Sequence, residues 1–270
     1  MRKSLCRPQP DAPLPAALRR SCTITTDTVH GRQVITLTPK SGRSNTHLIY
    51  THGGAYIYPM LRMHWAIIAT LIRHTGARVT VPLYGLAPEH TADDAYGLLE
   101  AVYRTVTEQA GDDPVFLAGD SAGAGLAVGQ AIRYRELGLQ APDGLFLFSP
   151  WVDVTMANPD ITALTSLDPI LAPQGLAAAG RDWAGDRDTT DPLVSPLYDT
   201  LKELPQMFIY QGGHDIFLPD AEEFAAKAEA AGTKVSLSIY PAAFHVFIAA
   251  PWTPEARHAL RDAADHIVSR

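Results

Sequence analysis

Short apolar runs alternate with longer mixed stretches along most of this chain. The runs Thr23–Thr28, Gln33–Thr38, His47–Thr51, Arg78–Pro82, Val115–Ala118, Gly144–Phe148, Met207–Gln211 and Lys234–Tyr240 are four to seven residues long. They are rich in β-branched and aromatic residues and read as strands. Between them, Arg62–His74, Thr91–Ala110, the stretch after Ser121 to about Leu137, Asp220–Ala231 and Pro254–Arg270 read as helices. In Arg62–His74 the residues Trp65, Ile68, Leu71 and Ile72 fall on one helical stripe, which predicts a core-facing side. Strands that alternate with helices predict an α/β fold with a mostly parallel sheet covered on both faces. No internal repeat or low-complexity tract interrupts the pattern.

The alternation breaks between Ser149 and Pro196. This segment holds Trp151, Met156, Leu164, Leu167, Ile170, Leu171, Leu176 and Trp183 among several prolines. It is too long for a simple connector. It leaves the sheet just past Phe148, at the carboxyl end of a strand, where sites of α/β sheets collect.

Composition narrows the classes. At 270 residues, 46% of them hydrophobic, the chain suits one domain with an ample core. The net charge of -7 and the lack of a long basic run argue against nucleic acid or an anionic membrane as partner. Cys6 and Cys22 are the sole cysteines, so no disulfide framework is expected and a reducing cytoplasm is the expected setting. Pro8, Pro10, Pro13 and Pro15 interrupt the basic N-terminus, which therefore lacks a signal-peptide apolar core. No stretch reaches the ~18 apolar residues of a membrane span.

The candidate chemistry begins at Phe116-Leu-Ala-Gly-Asp-Ser-Ala-Gly-Ala-Gly-Leu-Ala127. A buried strand runs into Gly119-Asp-Ser121-Ala-Gly123 and then into an Ala/Gly-rich helix start. Gly-x-Ser-x-Gly at a strand-to-helix turn is a nucleophile elbow, which exposes the serine hydroxyl on a strained backbone. Upstream, the strand His47–Thr51 ends in His52-Gly-Gly-Ala55. Successive small residues let backbone amides face a cleft, as an oxyanion requires. A serine nucleophile needs a base and the base needs an orienting acid, in this fold class in the order Ser, Asp or Glu, His. The histidines after Ser121 are His214, His245, His258 and His266. His258 and His266 lie on the C-terminal helix and read as solvated. His245 follows the strand ending at Tyr240 and is the candidate base. Asp215 follows the strand ending at Gln211 and is the candidate acid. Asp220 reads as a helix N-cap, and His214 as structural.

These residues resemble the hormone-sensitive-lipase-like (family IV) esterases of the α/β-hydrolase fold. The resemblance rests on His52-Gly-Gly-Ala55, Tyr84-Gly-Leu-Ala-Pro-Glu-His90, Gly119-Asp-Ser-Ala-Gly123, Ser149-Pro-Trp-Val-Asp153, Asp191-Pro-Leu-Val-Ser-Pro-Leu197, the Asp215 loop and Phe244-His-Val-Phe247. They run in family order from about residue 47 to the end. The resemblance implies an oxyanion hole from the amides of Gly54, Ala55 and Ala122. It implies that 150–196 and the short N-terminal segment 1–22 form a small helical cap; a helix pair that merely packs on the core is the alternative. Two departures stand out. Ala55 replaces a third glycine, and Gly85 replaces an arginine, removing an ion-pair partner from that turn. The expected activity is hydrolysis of short- to medium-chain acyl esters through Ser121, His245 and Asp215, with no metal or organic cofactor. Tyr56, Trp151 and Phe244 are the expected substrate contacts. A small-molecule ester is the expected partner, with no stable membrane association, and homodimerisation stays open. Lactone or amide hydrolysis would use the same machinery, whereas a non-catalytic ligand-binding member would lack one of the three residues.

Overall fold

The structure is a computed structural model and describes residues 10–269. Cys6 and the first nine residues of the N-terminal cap segment lie outside the described residues. Eight strands form one sheet: β1 (Cys22–Val29), β2 (Arg32–Pro39), β3 (His47–Thr51), β4 (Arg78–Pro82), β5 (Val115–Asp120), β6 (Gly144–Phe148), β7 (Met207–His214) and β8 (Val235–Phe244). Their spatial order is β1-β2-β4-β3-β5-β6-β7-β8. β1 pairs with β2, and β2 with β4, antiparallel; every later pairing is parallel.

The parallel strands β3, β5 and β6 are buried along their whole length, as strands covered on both faces must be. On one face lie α2 (Arg62–Thr75) and α8 (Pro254–Val268), with Trp65, Ile68, Leu71, Leu260 and Ile267 packed on Phe116, Phe146 and Tyr210. The stripe read from Trp65, Ile68, Leu71 and Ile72 is therefore the packed side of α2. The other face carries α3 (Ala92–Ala110), α4 (Ala122–Glu136) and α7 (Leu218–Ala230) on Ile49, Leu117, Leu147 and Ile209. α4 is buried nearly all round, because its Ala/Gly-rich start lies against the middle of the sheet.

β5, β7 and β8 extend two to four residues beyond their expected ends, to Asp120, His214 and Phe244. A register shift between Gly212 and His214 keeps β7 and β8 paired to the end, so that His214 opposes Phe244. Asp215 and His245 thus leave the sheet side by side. A short α1 (Ala16–Ser21) precedes β1. The insertion after β6 folds into α5 (Ile161–Leu164) and α6 (Pro173–Ala184), and Leu176 and Trp183 of α6 join the core under α3 and α4.

The glycine at position 85 has a physical account. A Cβ there would run into the His90 ring. The turn is held instead from β2, where the Arg32 guanidinium donates to the carbonyls of Leu83 and Tyr84, both at 3.0 Å. A cation is still present at this turn, but it comes from another strand.

Candidate active site

Ser121 sits between the end of β5 and the start of α4 with φ 52° and ψ -124°. That positive φ is strained for a side-chain-bearing residue and turns the hydroxyl out of the strand line. The elbow depends on close backbone packing. A Cβ on Gly123 would meet the carbonyl oxygens of Thr51 and His52, and one on Gly119 would meet that of Gly123. The Thr51 hydroxyl donates to the Gly123 carbonyl at 2.7 Å, which ties the end of β3 to the elbow.

The hydroxyl of Ser121 lies 2.8 Å from His245 Nε2, and His245 Nδ1 lies 2.8 Å from Asp215 Oδ2. All three side chains are buried; Asp215 is fully enclosed. The second Asp215 oxygen accepts the Phe217 amide at 3.0 Å. A carboxylate at Nδ1 accepts a hydrogen bond from that N–H and keeps the proton on Nδ1, leaving the Nε2 lone pair free to accept the serine proton. Burial alone would lower the His245 pKa. The Asp215 charge and hydrogen bond outweigh this, with smaller contributions from Asp168 and Asp120, and the pKa ends above the usual histidine value. The Phe217 ring meets the imidazole edge-on at 5.1 Å and fixes its plane.

The loop after β3 reverses sharply, with Gly54, Ala55 and Tyr56 all at positive φ. The Gly54 carbonyl accepts the amides of Ile57 and Tyr58. Among the described residues the amides of Gly54 and Ala55 find no acceptor, and both residues border the cavity beside Ser121. Ala122 is the first residue of α4, where amides have no intrahelical acceptor. The His52 Nδ1 donates to the Gly53 carbonyl at 2.7 Å, and burial lowers its pKa to about 4, so this ring is neutral.

The cavity at Ser121 encloses about 390 Å³. Its walls include Met63 and Leu61 from the start of α2 and Ile170, Leu171 and Leu176 from the insertion. The expected substrate contacts are placed elsewhere. Tyr56 is fully buried, with its ring stacked 4.1 Å from Trp183 and 5.5 Å from Trp151. Trp151 stacks in turn on Phe217. Phe244 packs against the core on the α2–α8 face. These aromatics brace the loops from behind, and the aliphatic insertion residues take the wall. Asp220 is also corrected: it lies within α7 rather than capping it. Its Oδ1 accepts from Asn158 at 2.8 Å, and Oδ2 has no partner among the described residues. Burial pushes its pKa up to about 7, and the nearby Asp153 and Glu223 charges add to this against the Asn158 hydrogen bond.

Two residues at the site were given no role of their own in the reading of the sequence. Asp120 accepts the Tyr50 hydroxyl at 2.6 Å and the Gly53 amide at 3.2 Å. His64 takes the Leu61 amide on Nδ1 at 2.9 Å and turns Nε2 to Asp120 at 3.4 Å. Burial works against the Asp120 charge, but His64, then Tyr50 and His52, hold the carboxyl below its usual range. The signal for His64 was a polar residue beside Trp65 on the apolar stripe of α2. Among the described residues no group of three or more His, Cys, Asp or Glu side chains is arranged to hold a metal ion, and no helix is long and apolar enough to cross a membrane.

Comparison with known proteins agrees with this architecture. The family described as alpha/beta hydrolase fold matches residues 48–249. An esterase of Acinetobacter venetianus is 34% identical over 235 residues, which span 85% of this chain and 77% of that protein. The crystal structure of a hormone-sensitive lipase from a metagenome library superposes with a TM-score of 0.87 at 30% identity, over 96% of this chain and 86% of the other. An esterase from the bacterial hormone-sensitive lipase family superposes with a TM-score of 0.87 at 28% identity and the same coverage.

Proposed function

The chain belongs to the alpha/beta-hydrolase fold family and, within it, to the hormone-sensitive-lipase-like esterases; on that premise we propose that it cleaves acyl esters with Ser121 as nucleophile, His245 as base and Asp215 as orienting acid. The observation that carries the assignment is the unbroken chain Ser121–His245–Asp215, with 2.8 Å at each link. His245 takes the hydroxyl proton as Ser121 attacks the ester carbonyl, and later returns it to the leaving alcohol. Asp215 holds the productive tautomer and stabilises the imidazolium. The amides of Gly54, Ala55 and Ala122 receive the charge that develops on the carbonyl oxygen. Water activated by His245 then releases the acyl group from Ser121.

The segment 150–196 acts as a cap in this reading. Support comes from Ile170, Leu171 and Leu176, which all belong to it and all border the Ser121 cavity. The walls are aliphatic, which favours an uncharged acyl or alcohol group.

The test is turnover of p-nitrophenyl butyrate together with labelling by a fluorophosphonate. Ser121→Ala is expected to lower kcat by a factor on the order of 10⁴–10⁶ and to abolish labelling, because the three residues act as a unit. A folded Ser121→Ala protein with near-parental turnover would remove Ser121 from the mechanism.

A further inference from the structure

Asp168 lies in the turn between α5 and α6, in the insertion and outside every motif in the sequence. It is buried, and its carboxylate gathers amides from two separate parts of the chain. Oδ1 accepts from Ile170 at 2.8 Å and from Leu171 at 2.9 Å. Oδ2 accepts from Ile216 at 3.0 Å. Ile216 directly follows Asp215, whose own Oδ1 accepts the next amide, that of Phe217. Ile170 and Leu171 border the cavity at Ser121. One side chain therefore joins the cavity wall to the loop that orients the imidazole.

We propose that Asp168 is a positioning residue of the hydrolytic site, which clamps the Asp215 loop with one carboxylate oxygen and the Ile170–Leu171 wall with the other. The proposal rests on the esterase reading above. A local turn requirement would account for Oδ1 alone, since an aspartate often accepts amides two and three residues on. It does not account for Oδ2, which reaches across 48 positions to the residue after Asp215. The arrangement is a buried, fully engaged carboxylate, and its charge also acts on His245.

The charged groups that bear on His245 are Asp215 on the β7 loop, Asp168 on the insertion and Asp120 at the end of β5. All three favour the imidazolium. Only neutral imidazole can accept the serine proton, so the acid limb of kcat/KM follows the His245 pKa. Removing the Asp168 charge lowers that pKa and moves the limb to lower pH. A purely structural clamp would leave the limb in place.

The experiment compares Asp168→Asn with the parent on p-nitrophenyl acetate and hexanoate across pH 5–9, alongside thermal melts. The asparagine keeps shape and one acceptor oxygen, but presents an amide donor toward one set of backbone donors. The expected result is a folded protein with kcat lower by about 10-fold or more, since small misplacements at a distance are costly. Its acid limb should move to lower pH. The hexanoate-to-acetate ratio of kcat/KM should change, because the wall is released. A folded variant with parental limb and ratio overturns the proposal. Should the asparagine variant not fold, Asp168→Glu replaces it: with the charge kept, the limb should stay while kcat and the ratio change. Parental kcat and ratio in that variant overturn the proposal equally. A parent whose ester turnover is insensitive to Ser121→Ala would instead sink the esterase reading, so the two failures are separable.

Discussion

Two aspartates five positions apart show how environment assigns a residue its task. Asp215 and Asp220 are both buried. Asp215 spends one oxygen on His245 and the other on an amide. Among the described residues Asp220 has only Asn158, and burial raises its pKa to about 7. Asp215→Asn is therefore expected to remove most activity, with kcat down by about 10⁴, because an amide favours the wrong imidazole tautomer. Asp220→Asn should keep kcat/KM within a few-fold of the parent; the reverse ranking would show that the wrong carboxylate had been assigned. Asp220 should register in stability instead. Its folded pKa of about 7 lies above the roughly 3.9 of an unfolded aspartate. Between those values the fold binds a proton that the unfolded chain releases, so this residue's contribution falls as pH rises through the window. Asp220→Asn cannot ionise. It should melt higher than the parent at pH 8 and differ little at pH 4; equal melting gaps at both pH values would refute the shift.

At the scale of elements, the site is a contact between the ends of β3, β5, β7 and β8, and its weakest tolerance is at Gly123. A methyl group there would strike the carbonyls of Thr51 and His52 and push α4 away from the loop that carries Gly54 and Ala55. Gly123→Ala is expected to lower kcat by at least about 100-fold and to lower the melting temperature. A variant with parental activity would mean that the elbow can open without displacing Ser121. This kind of constraint is what made the site legible. Gly53, Gly119 and Gly123 are forced by the close approach of neighbouring chain, and with His52 and Ser121 beside them they leave a local pattern that can be read without a structure. Apolar periodicity likewise marked the eight strands and the main helices to within a few residues. What stayed hidden depends on tertiary partners. His64 reads as one polar interruption in α2 and Asp168 as a turn residue, because their partners lie far along the chain. Tyr56 and Trp151 looked like pocket residues by proximity to the motifs, yet side-chain direction sends them into the stack with Trp183 behind the loops. The ends of β7 and β8 were drawn short, since the Gly212–Gly213 pair reads as a turn and in the fold lies against the backbone of β8.

The molecule as a whole sets the size of what it can process. Residues of the insertion, Ile170, Leu171 and Leu176 among them, border a cavity of about 390 Å³ at Ser121. That is near the lower end of the roughly 300–1,000 Å³ usual for small-molecule sites. Its aliphatic wall can reward each added acyl methylene with about 0.8 kcal/mol, or nearly a factor of four in kcat/KM, while the methylene is buried. The gain must stop where the wall stops. Ile170, Leu61 and Tyr58 already stand partly in solvent at the rim, so a chain that passes them buries little more. Across p-nitrophenyl esters, kcat/KM is expected to climb from acetate to about six or eight carbons and then level or fall. Leu176→Ala, which lengthens the wall away from the rim, should shift the optimum to longer chains. A profile that still rises at long-chain esters, with activation at a lipid–water interface, would show that the insertion moves aside and that the cavity does not limit the substrate.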